Sequence, residues 1–393
     1  MKSPLVYLHA LGMINALGGD TDAIARGLVA ACAPGMGVAA FGETGAAFVG
    51  RVTAPLDVAP PPHLRRYDCR NNRLLLAALA QIEPAVAAAC ERYGAGRIGV
   101  VLGTSTSGIA AAEAALAANA RDDRCAAAFD YVQLEIGTAA PFAAAALGLQ
   151  GPAFTISTAC TSSAKAIVAA RRLLQLNLCD AVVAGGVDSL CETTVRGFSA
   201  LESTSSSRMN PMSANRSGIN VGEAAAVFLM SREEGPAVLA GAGESSDAHH
   251  ISAPDPSGAG GERALRAALD DAGAVPEAIG YVNLHATATR KNDEMEARLM
   301  ARVFPNGVPV SGTKPLTGHT LGAAGATELG FGWLVLTNEG TVLPRHLWDG
   351  VPDPSLPALD LVEDARRLQP GRLVMSNSFA FGGSNVSLVL GQS

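Results

Sequence analysis

The sequence repeats one plan twice, and this internal duplication restricts most strongly how the chain can fold. In each half an apolar run ends in a polar turn, a second opens into a helical stretch, and a glycine turn leads into a third. The matched pairs, in the same order in both halves, are 98–102 with 279–284, 154–160 with 308–314, and 218–230 with 379–390. The sequence therefore predicts two similar halves, 1–236 and 237–393, joined near the polar segment 232–236.

The apolar runs also indicate the fold class. Runs 98–102 and 181–184 are apolar on both alternations, which is typical of central strands covered on both faces by helices. Residues 164–176 are rich in helix formers, but their basic residues do not gather on one face, so we expect a largely buried helix. The residues alone predict an α/β fold.

Composition excludes several functions. The chain has 29 Lys and Arg against 36 Asp and Glu, a net charge of −7, and no basic run, which argues against binding to nucleic acid or anionic lipid. The apolar stretches, such as 329–336, are shorter than the ~20 residues of a membrane helix, and the first residues lack a signal pattern. We therefore expect a cytoplasmic protein without membrane insertion.

Cysteine usage argues against a disulfide scaffold and against a metal site. The 7 cysteines are an odd number, and their spacing contains no CxxC pair. Most are expected to be reduced and to pack in the core like small apolar residues.

Cys160 is the sharpest single candidate for chemistry. It follows a predicted strand and precedes a predicted helix whose first residues, 161–163, are typical of helix starts. A helix N-terminus favours the thiolate over the thiol, and the thiolate is the nucleophile. On this pattern alone, a nucleophile and a buried structural cysteine both remain open.

Two of the 7 histidines, His285 and His319, are candidates because both follow predicted strands, where catalytic loops gather. The other five are assigned to structural or exposed positions. Together with a cysteine, two histidines supply a nucleophile and two bases or hydrogen-bond donors, which suits acyl transfer.

Lys314 and Glu328 flank His319 in a stretch that is otherwise free of charged residues from 311 to 327, so we expect both to face a polar cavity rather than solvent. The glycine-rich segment 377–385 could bring backbone N–H groups to a reacting carbonyl. These residues together predict a cysteine acyltransferase.

Four motifs, in this order along nearly the whole chain, resemble those of the β-ketoacyl-ACP synthases of the type I/II kind. They are TACTSS at 158–163, HATAT at 285–289, GTKPLTGHTLGAAGATE at 312–328 and NSFAFGGSN at 377–385. The resemblance implies the duplicated thiolase fold, two α/β halves stacked as a five-layer αβαβα sandwich, and thereby accounts for the internal repeat.

The resemblance also implies a reaction, the decarboxylative Claisen condensation. Cys160 would take an acyl group from acyl carrier protein (ACP) into a thioester, with an oxyanion hole made by the backbone amides of Cys160 and Phe381. His285 and His319 would stabilise the enolate formed from malonyl-ACP, which attacks the thioester to give 3-oxoacyl-ACP. The pathway would be fatty acid, polyene or related lipid biosynthesis, with no metal or cofactor beyond the phosphopantetheine carried by ACP.

Further roles are carried over residue by residue. Lys314 would tune His319 and the electrostatics of the site, and Glu328 would be a structural and hydrogen-bonding partner behind it. Phe381 would act as a gate that moves when the acyl chain enters. The remaining assignments are Thr287 and Thr289 to the pantetheine arm, Asp293 to the loop after HATAT, and Arg65 and Arg66 to docking of ACP.

The chain departs from the family pattern at several positions. Ala286 and Ala288 stand in a motif that usually reads HGTST, and Ala380 replaces a glycine before the gate; these changes are expected to stiffen the loops. The segment 216–219 replaces a commoner Arg-Asp-Gly-Phe, and 191–198 and 203–207 are also unusual. They suggest a divergent branch serving a specialised lipid.

Two other functions are weighed. A chain-length-factor-like subunit, which shapes the tunnel of another ketosynthase, would lack the cysteine that this chain has at 160. A thiolase acting on CoA esters would need a second active cysteine near the C-terminus, whereas the last cysteine here is Cys191. We expect a homodimer, with a heterodimer with a related subunit as the alternative.

Overall fold

The computed structural model describes residues 4–41, 45–120, 129–338 and 342–393. The strands are β1 (Tyr7–Ile14), β2 (Met36–Phe41), β3 (Gly45–Gly50), β4 (Ile98–Gly103), β5 (Ala153–Ile156), β6 (Ala181–Asp188), β7 (Ala224–Ser231), β8 (Ala237–Ser246), β9 (Ile279–Asn283), β10 (Pro309–Ser311), β11 (Asp360–Leu361), β12 (Leu373–Ala380) and β13 (Ser384–Gln392). The helices are α1 (Thr21–Ala30), α2 (Arg70–Tyr93), α3 (Ile109–Ala120), α4 (Ala139–Ala146), α5 (Ser162–Gln175), α6 (Glu192–Ala200), α7 (Ala259–Ala272), α8 (Arg290–Val303), α9 (Lys314–Thr317) and α10 (Ala324–Thr337).

The strand topology repeats. The first half has the order β5-β4-β6-β7-β1 and the second β10-β9-β12-β13-β8, with β11 added at the edge. In both halves the first three strands are parallel and the last two run antiparallel to their neighbours. A short antiparallel pairing of Tyr7 and Leu8 with Val238 and Ala237 joins the halves. The duplication inferred from the sequence is therefore present in strand order and direction.

The helices pack on both faces of the sheet and so divide the fold into layers. Helices α5 and α10 lie between the two halves of the sheet and pack on strands of both. Helices α2 and α4 cover the outer face of the first half, and α7 and α8 that of the second. This is the predicted five-layer αβαβα sandwich. Strands β4, β6 and β7 are buried at every position, as expected for strands covered on both faces.

Small residues let the two central helices touch. A Cβ on Gly325 of α10 would lie 2.7 Å from the Cβ of Ala164 on α5, so any larger side chain there would push the helices apart. Helix α5 is largely buried, as predicted, and its Arg171 is paired with Asp271 of α7. A buried guanidinium needs such a partner because its desolvation is otherwise uncompensated.

One helix in the described part of the chain, α2, is long and apolar enough to pass a test for membrane spans, although the sequence reading expected none. Its Leu74, Leu75 and Leu79 are buried against the sheet, and Gln81 donates hydrogen bonds to the backbone oxygens of Met13 and Gly19. These contacts are those of a core helix, which has the same length and composition as a membrane span.

The cysteines behave largely as expected. Cys69, Cys160, Cys179 and Cys191 are buried and carry free thiols, whereas Cys32 is exposed. Cys90 is half-buried, and Cys125 lies outside the described residues.

Candidate active site

Three strand ends bring the candidate residues together. Cys160 follows β5, His285 follows β9, and His319 follows β10 and the short helix α9. Because β5 and β10 occupy equivalent places in the two halves, the nucleophile and His319 approach the same point from opposite halves. All three side chains are buried, at 6%, 1% and 2% relative exposure.

Cys160 stands on a sharp turn between β5 and α5. The preceding Ala159 has φ 51°, a left-handed conformation that costs a non-glycine residue about 1 kcal/mol or more. The turn is held by Ser162, whose hydroxyl accepts a hydrogen bond from Thr158 N–H at 2.9 Å and donates one to Ala159 O at 2.6 Å. The local strain therefore presents the thiol to the other half of the molecule.

The reactive atoms form one cluster. Cys160 Sγ lies 2.9 Å from His319 Nε2, and the His285 and His319 rings are edge to face with centroids 5.4 Å apart. Potential ligand atoms of all three residues lie within 4.8 Å of one another. Phe379 packs against His285 with ring centroids 6.0 Å apart and limits the freedom of that ring.

Lys314 contacts His285 directly and does not contact His319. Its Nζ lies 3.4 Å from His285 Nδ1, donates a short hydrogen bond to His285 O, and lies 2.5 Å from Glu328 Oε1. Glu328 is thus the hydrogen-bonding partner of Lys314. The lysine reaches His319 only through its charge, which lowers the pKa of that imidazole.

Burial controls protonation in the cluster. It raises the pKa of the Cys160 thiol to about 11, although Lys314 and the backbone N–H groups of Phe381 and Cys160 act in the opposite direction. The helix start therefore does not give a resting thiolate, contrary to the sequence expectation. Burial, followed by the Lys314 charge, holds the pKa of His285 and His319 well below the ordinary value, so both imidazoles are neutral at pH 7.

The backbone N–H groups of Phe381 and Cys160 both act on the Cys160 thiol and lower its pKa. Their role as an oxyanion hole stays a prediction. The Phe381 side chain is 36% exposed and packs on Phe198 of α6, with ring centroids 5.6 Å apart. Ala380 has φ −111° and ψ 156°, an ordinary extended conformation, so its replacement of glycine adds no backbone strain.

The loop 285–289 is held by two buried carboxylates of α8. Glu296 accepts hydrogen bonds from His285 N–H and Ala286 N–H, both at 2.7 Å, and Asp293 accepts one from Ala288 N–H at 3.1 Å. Asp293 itself lies in the first turn of α8, whereas the resemblance had placed it in the loop after HATAT. The loop needs this support because Ala286 and Ala288 have φ 40° and 60°.

The sequence did not single out two residues that position the site, Glu296 and Asp188. Glu296 lies three residues after Asp293, on the same face of α8, and that spacing was the available signal. Asp188 ends the apolar strand β6, where a carboxylate is unexpected, and its Oδ1 accepts hydrogen bonds from Ser105 and Thr106 N–H. Its Oδ2 accepts one from Gly322 N–H at 2.5 Å, which ties the two halves together beside His319.

A cavity of about 360 Å³ leads from solvent to the cluster. Thr287 and Thr289, which the resemblance assigns to the pantetheine arm, both line it, with their hydroxyls 2.9 Å apart. Arg65 and Arg66 are exposed and do not line it, and Arg66 is paired with Asp130 at 3.2 Å. Their role in docking ACP stays a prediction.

The cluster also contains the donor types of a zinc site. One thiol and two imidazoles, with an open fourth position, are ligands that catalytic zinc takes. The Lys314 side chain against His285 opposes binding of a second cation there, because like charges repel strongly in a buried site. The absence of a metal stays a prediction.

Comparison with known proteins agrees with this geometry. The family model "Beta-ketoacyl synthase, N-terminal domain" matches residues 48–235, and "Beta-ketoacyl synthase, C-terminal domain" matches residues 236–347. Nodulation protein E of Rhizobium meliloti is 33% identical over 315 residues, 77% of this chain and 77% of that protein. The 3-oxoacyl-[acyl-carrier-protein] synthase 2 of Vibrio cholerae is 35% identical over 262 residues, 62% of this chain and 63% of that one.

A solved structure is similar over nearly the whole length. It is that of a ketosynthase in complex with its chain length factor from Xenorhabdus doucetiae; the matching chain has a TM-score of 0.96 and 44% identity, with 99% of this chain and 98% of that chain covered. The duplicated sandwich, the cysteine with two histidines and these matches lead to one conclusion: the chain belongs to the β-ketoacyl synthase family of thiolase-fold condensing enzymes, an acyltransferase class.

Proposed function

We propose that this chain is a 3-oxoacyl-ACP synthase, which condenses an acyl group held on Cys160 with malonyl-ACP. The observation that carries the proposal is the cluster of Cys160, His285 and His319 at the base of one cavity, with both imidazoles neutral. Relatives bearing the name 3-oxoacyl-[acyl-carrier-protein] synthase support the choice of ACP as the carrier.

In the first half-reaction Cys160 Sγ attacks the acyl thioester carbonyl. The thiol is protonated in the resting site, so its proton must leave as the S–C bond forms, and His319 Nε2 at 2.9 Å is the acceptor within reach. The proton passes on to the departing pantetheine thiolate. The Cys160 and Phe381 N–H groups stabilise the intervening oxyanion, each to the extent of about 3 kcal/mol.

In the second half-reaction malonyl-ACP loses CO₂. The electron pair of the broken C–C bond stays with the remaining acetyl group, which becomes an enolate. Lys314 donates to His285 Nδ1, which leaves the proton of the neutral ring on Nε2 and makes that nitrogen a donor to the enolate oxygen. His319 Nδ1 has no hydrogen-bond partner in the described structure, so its proton can occupy either nitrogen. The enolate carbon then attacks the Cys160 thioester, the S–C bond breaks, and 3-oxoacyl-ACP forms. The departing Cys160 thiolate takes up one proton from solvent, passed on through His319 Nε2, and becomes the free thiol.

The alternative, a chain-length-factor-like subunit, is disfavoured because Cys160 is present and lies together with both His285 and His319. The named ketosynthase in complex with its chain length factor supports an assembly with a related, second subunit, and a homodimer is the competing form. We place the enzyme in the cytoplasm and propose that it needs no cofactor except the phosphopantetheine of ACP. Co-expression with candidate subunits, followed by measurement of the mass of the purified assembly, distinguishes the two forms.

The test of function is intact-protein mass spectrometry after addition of a panel of acyl-ACPs, then malonyl-ACP. We expect one acyl mass on Cys160 that is discharged as 3-oxoacyl-ACP. Cys160→Ala should remain folded and take no acyl group. His285→Ala should take the acyl group and stall at decarboxylation, whereas His319→Ala should slow both acylation and decarboxylation. If no acyl-ACP labels Cys160, with or without a second subunit, the proposal is wrong.

A further inference from the structure

One segment of the chain, residues 285–291, runs the length of the cavity from the reactive centre to solvent. His285 at its inner end is 1% exposed and Thr287 is 6% exposed, whereas Thr289 is half-buried and Arg290 and Lys291 are exposed. All five line the cavity. Exposure therefore rises along the segment, from the buried His285 to the exposed Arg290 and Lys291 at the cavity mouth.

The outer end of this segment carries two basic side chains without partners. Within the described part of the chain, neither Arg290 nor Lys291 makes an ion pair or a side-chain hydrogen bond. The third basic residue lining the cavity, Arg216, is buried and bonded to Asp353 and to Ser213 O, with Glu294 at 3.5 Å. Two adjacent free cations at one cavity mouth supply positive charge for an anionic group of a ligand.

The backbone at the same place also favours an anion. Arg290 is the first residue of α8, a helix of 14 residues, and its N-cap Thr289 makes no side-chain capping bond. Free N–H groups at a helix start carry partial positive charge and bind phosphate when basic side chains stand beside them. The acidic side chains that line the cavity are Glu202 and Asp247, of which Asp247 is bonded to Asn385 at 2.7 Å and to Asp255 N–H.

We propose that Arg290 and Lys291 bind the phosphate at the outer end of the phosphopantetheine arm. The inference rests on the proposed function, since that arm must enter this cavity with its thioester at Cys160. The thioester and the phosphate occupy opposite ends of the arm. When the inner end reaches Cys160, the outer end lies at the mouth, beside the two cations, with the Thr287 and Thr289 hydroxyls along the way.

The test measures binding without acyl transfer. Iodoacetamide alkylates Cys160, and a molecule that fills the cavity protects it. The protectants compared are the S-methyl thioethers of 4′-phosphopantetheine and of pantetheine, which differ only in the phosphate and carry no free thiol that would consume the reagent. We expect the phosphorylated form to protect the wild type at about tenfold lower concentration, a preference that weakens as salt rises. Arg290→Ala combined with Lys291→Ala should bring the ratio close to one, with protection by the pantetheine thioether unchanged.

Arg298→Ala is the matched control, because Arg298 is an exposed basic residue of the same helix that does not line the cavity. It should keep the wild-type ratio. Equal protection of the wild type by the two compounds overturns the proposal, as does a ratio that survives in the double variant.

A further comparison separates phosphate from the carrier protein. If the double variant slows acylation by acyl-ACP but keeps the phosphopantetheine preference, the two residues bind the carrier surface and the phosphate proposal is wrong. A phosphate preference without any acyl transfer to Cys160 would instead leave the phosphate site intact and overturn only the proposed function.

Discussion

Lys314 Nζ lies 3.4 Å from His285 Nδ1, and the same ammonium also contacts His285 O and Glu328. A lysine has donors only, so His285 Nδ1 accepts, and the proton of the neutral ring lies on Nε2. The lysine thus fixes the tautomer of one catalytic imidazole. Through its charge it also helps to keep both imidazoles neutral, because it lowers the pKa of each.

Replacement of this lysine should separate the two half-reactions. In Lys314→Met the tautomer of His285 is no longer fixed, so we expect decarboxylation of malonyl-ACP to slow about 100-fold, while acylation of Cys160 changes less than about tenfold. Release of CO₂ and the acyl-enzyme mass measure the two steps. Lys165→Met, which removes a lysine paired with Glu244 at 3.3 Å outside the site, is the control. Equal slowing of both steps would show that Lys314 does not act through His285.

The reactivity of Cys160 should rise steeply with pH. Burial raises the pKa of its thiol to about 11, so each pH unit between about 7 and 10 should increase the thiolate fraction, and the rate of iodoacetamide alkylation, about tenfold. The measurement is the alkylation rate at the Cys160 peptide, with Cys160→Ala to identify background. A plateau below about pH 9 would mean that the thiolate is stabilised and that the burial effect does not dominate.

Phe381→Pro should test the oxyanion hole directly. Proline removes the N–H that lowers the pKa of the Cys160 thiol, and the extended Ala380, with ψ 156°, is compatible with a following proline. We expect acylation of Cys160 to fall about 100-fold to 1,000-fold. Phe381→Ala is matched to it, since it removes the ring that packs on Phe198 but keeps the N–H. If the alanine variant is as slow as the proline variant, the side chain and not the amide accounts for the loss.

Glycine should stabilise the protein at one alanine and destabilise it at another. Ala286 has φ 40°, so Ala286→Gly should relieve strain and raise the free energy of unfolding by about 0.5–1 kcal/mol. Ala169→Gly, in the middle of α5, should lower it by about 1 kcal/mol. Denaturant unfolding of both variants checks the opposite signs. If Ala286→Gly instead lowers the free energy of unfolding, the φ of 40° at Ala286 stores no strain that glycine can relieve.

The sequence alone predicted the fold class, the internal duplication and the three residues of the reactive cluster. Apolar runs in matched order indicated the repeat and central strands covered on both faces, because such a strand must be apolar on both faces. Cys160, His285 and His319 could be selected because each follows such a strand, and strand ends on the same edge of a sheet converge. The strand order of the two halves and the cluster at the cavity base agree with that reading.

What the sequence could not determine is which atoms meet and how burial shifts their chemistry. The resemblance implies that Lys314 tunes His319, but only the tertiary structure shows that the direct contact of Lys314 is with His285. The thiolate expected at the start of α5 is opposed by desolvation, a property of the packed interior. Glu296 and Asp188 act through backbone N–H groups distant in sequence, and only the tertiary structure brings those groups within hydrogen-bonding distance.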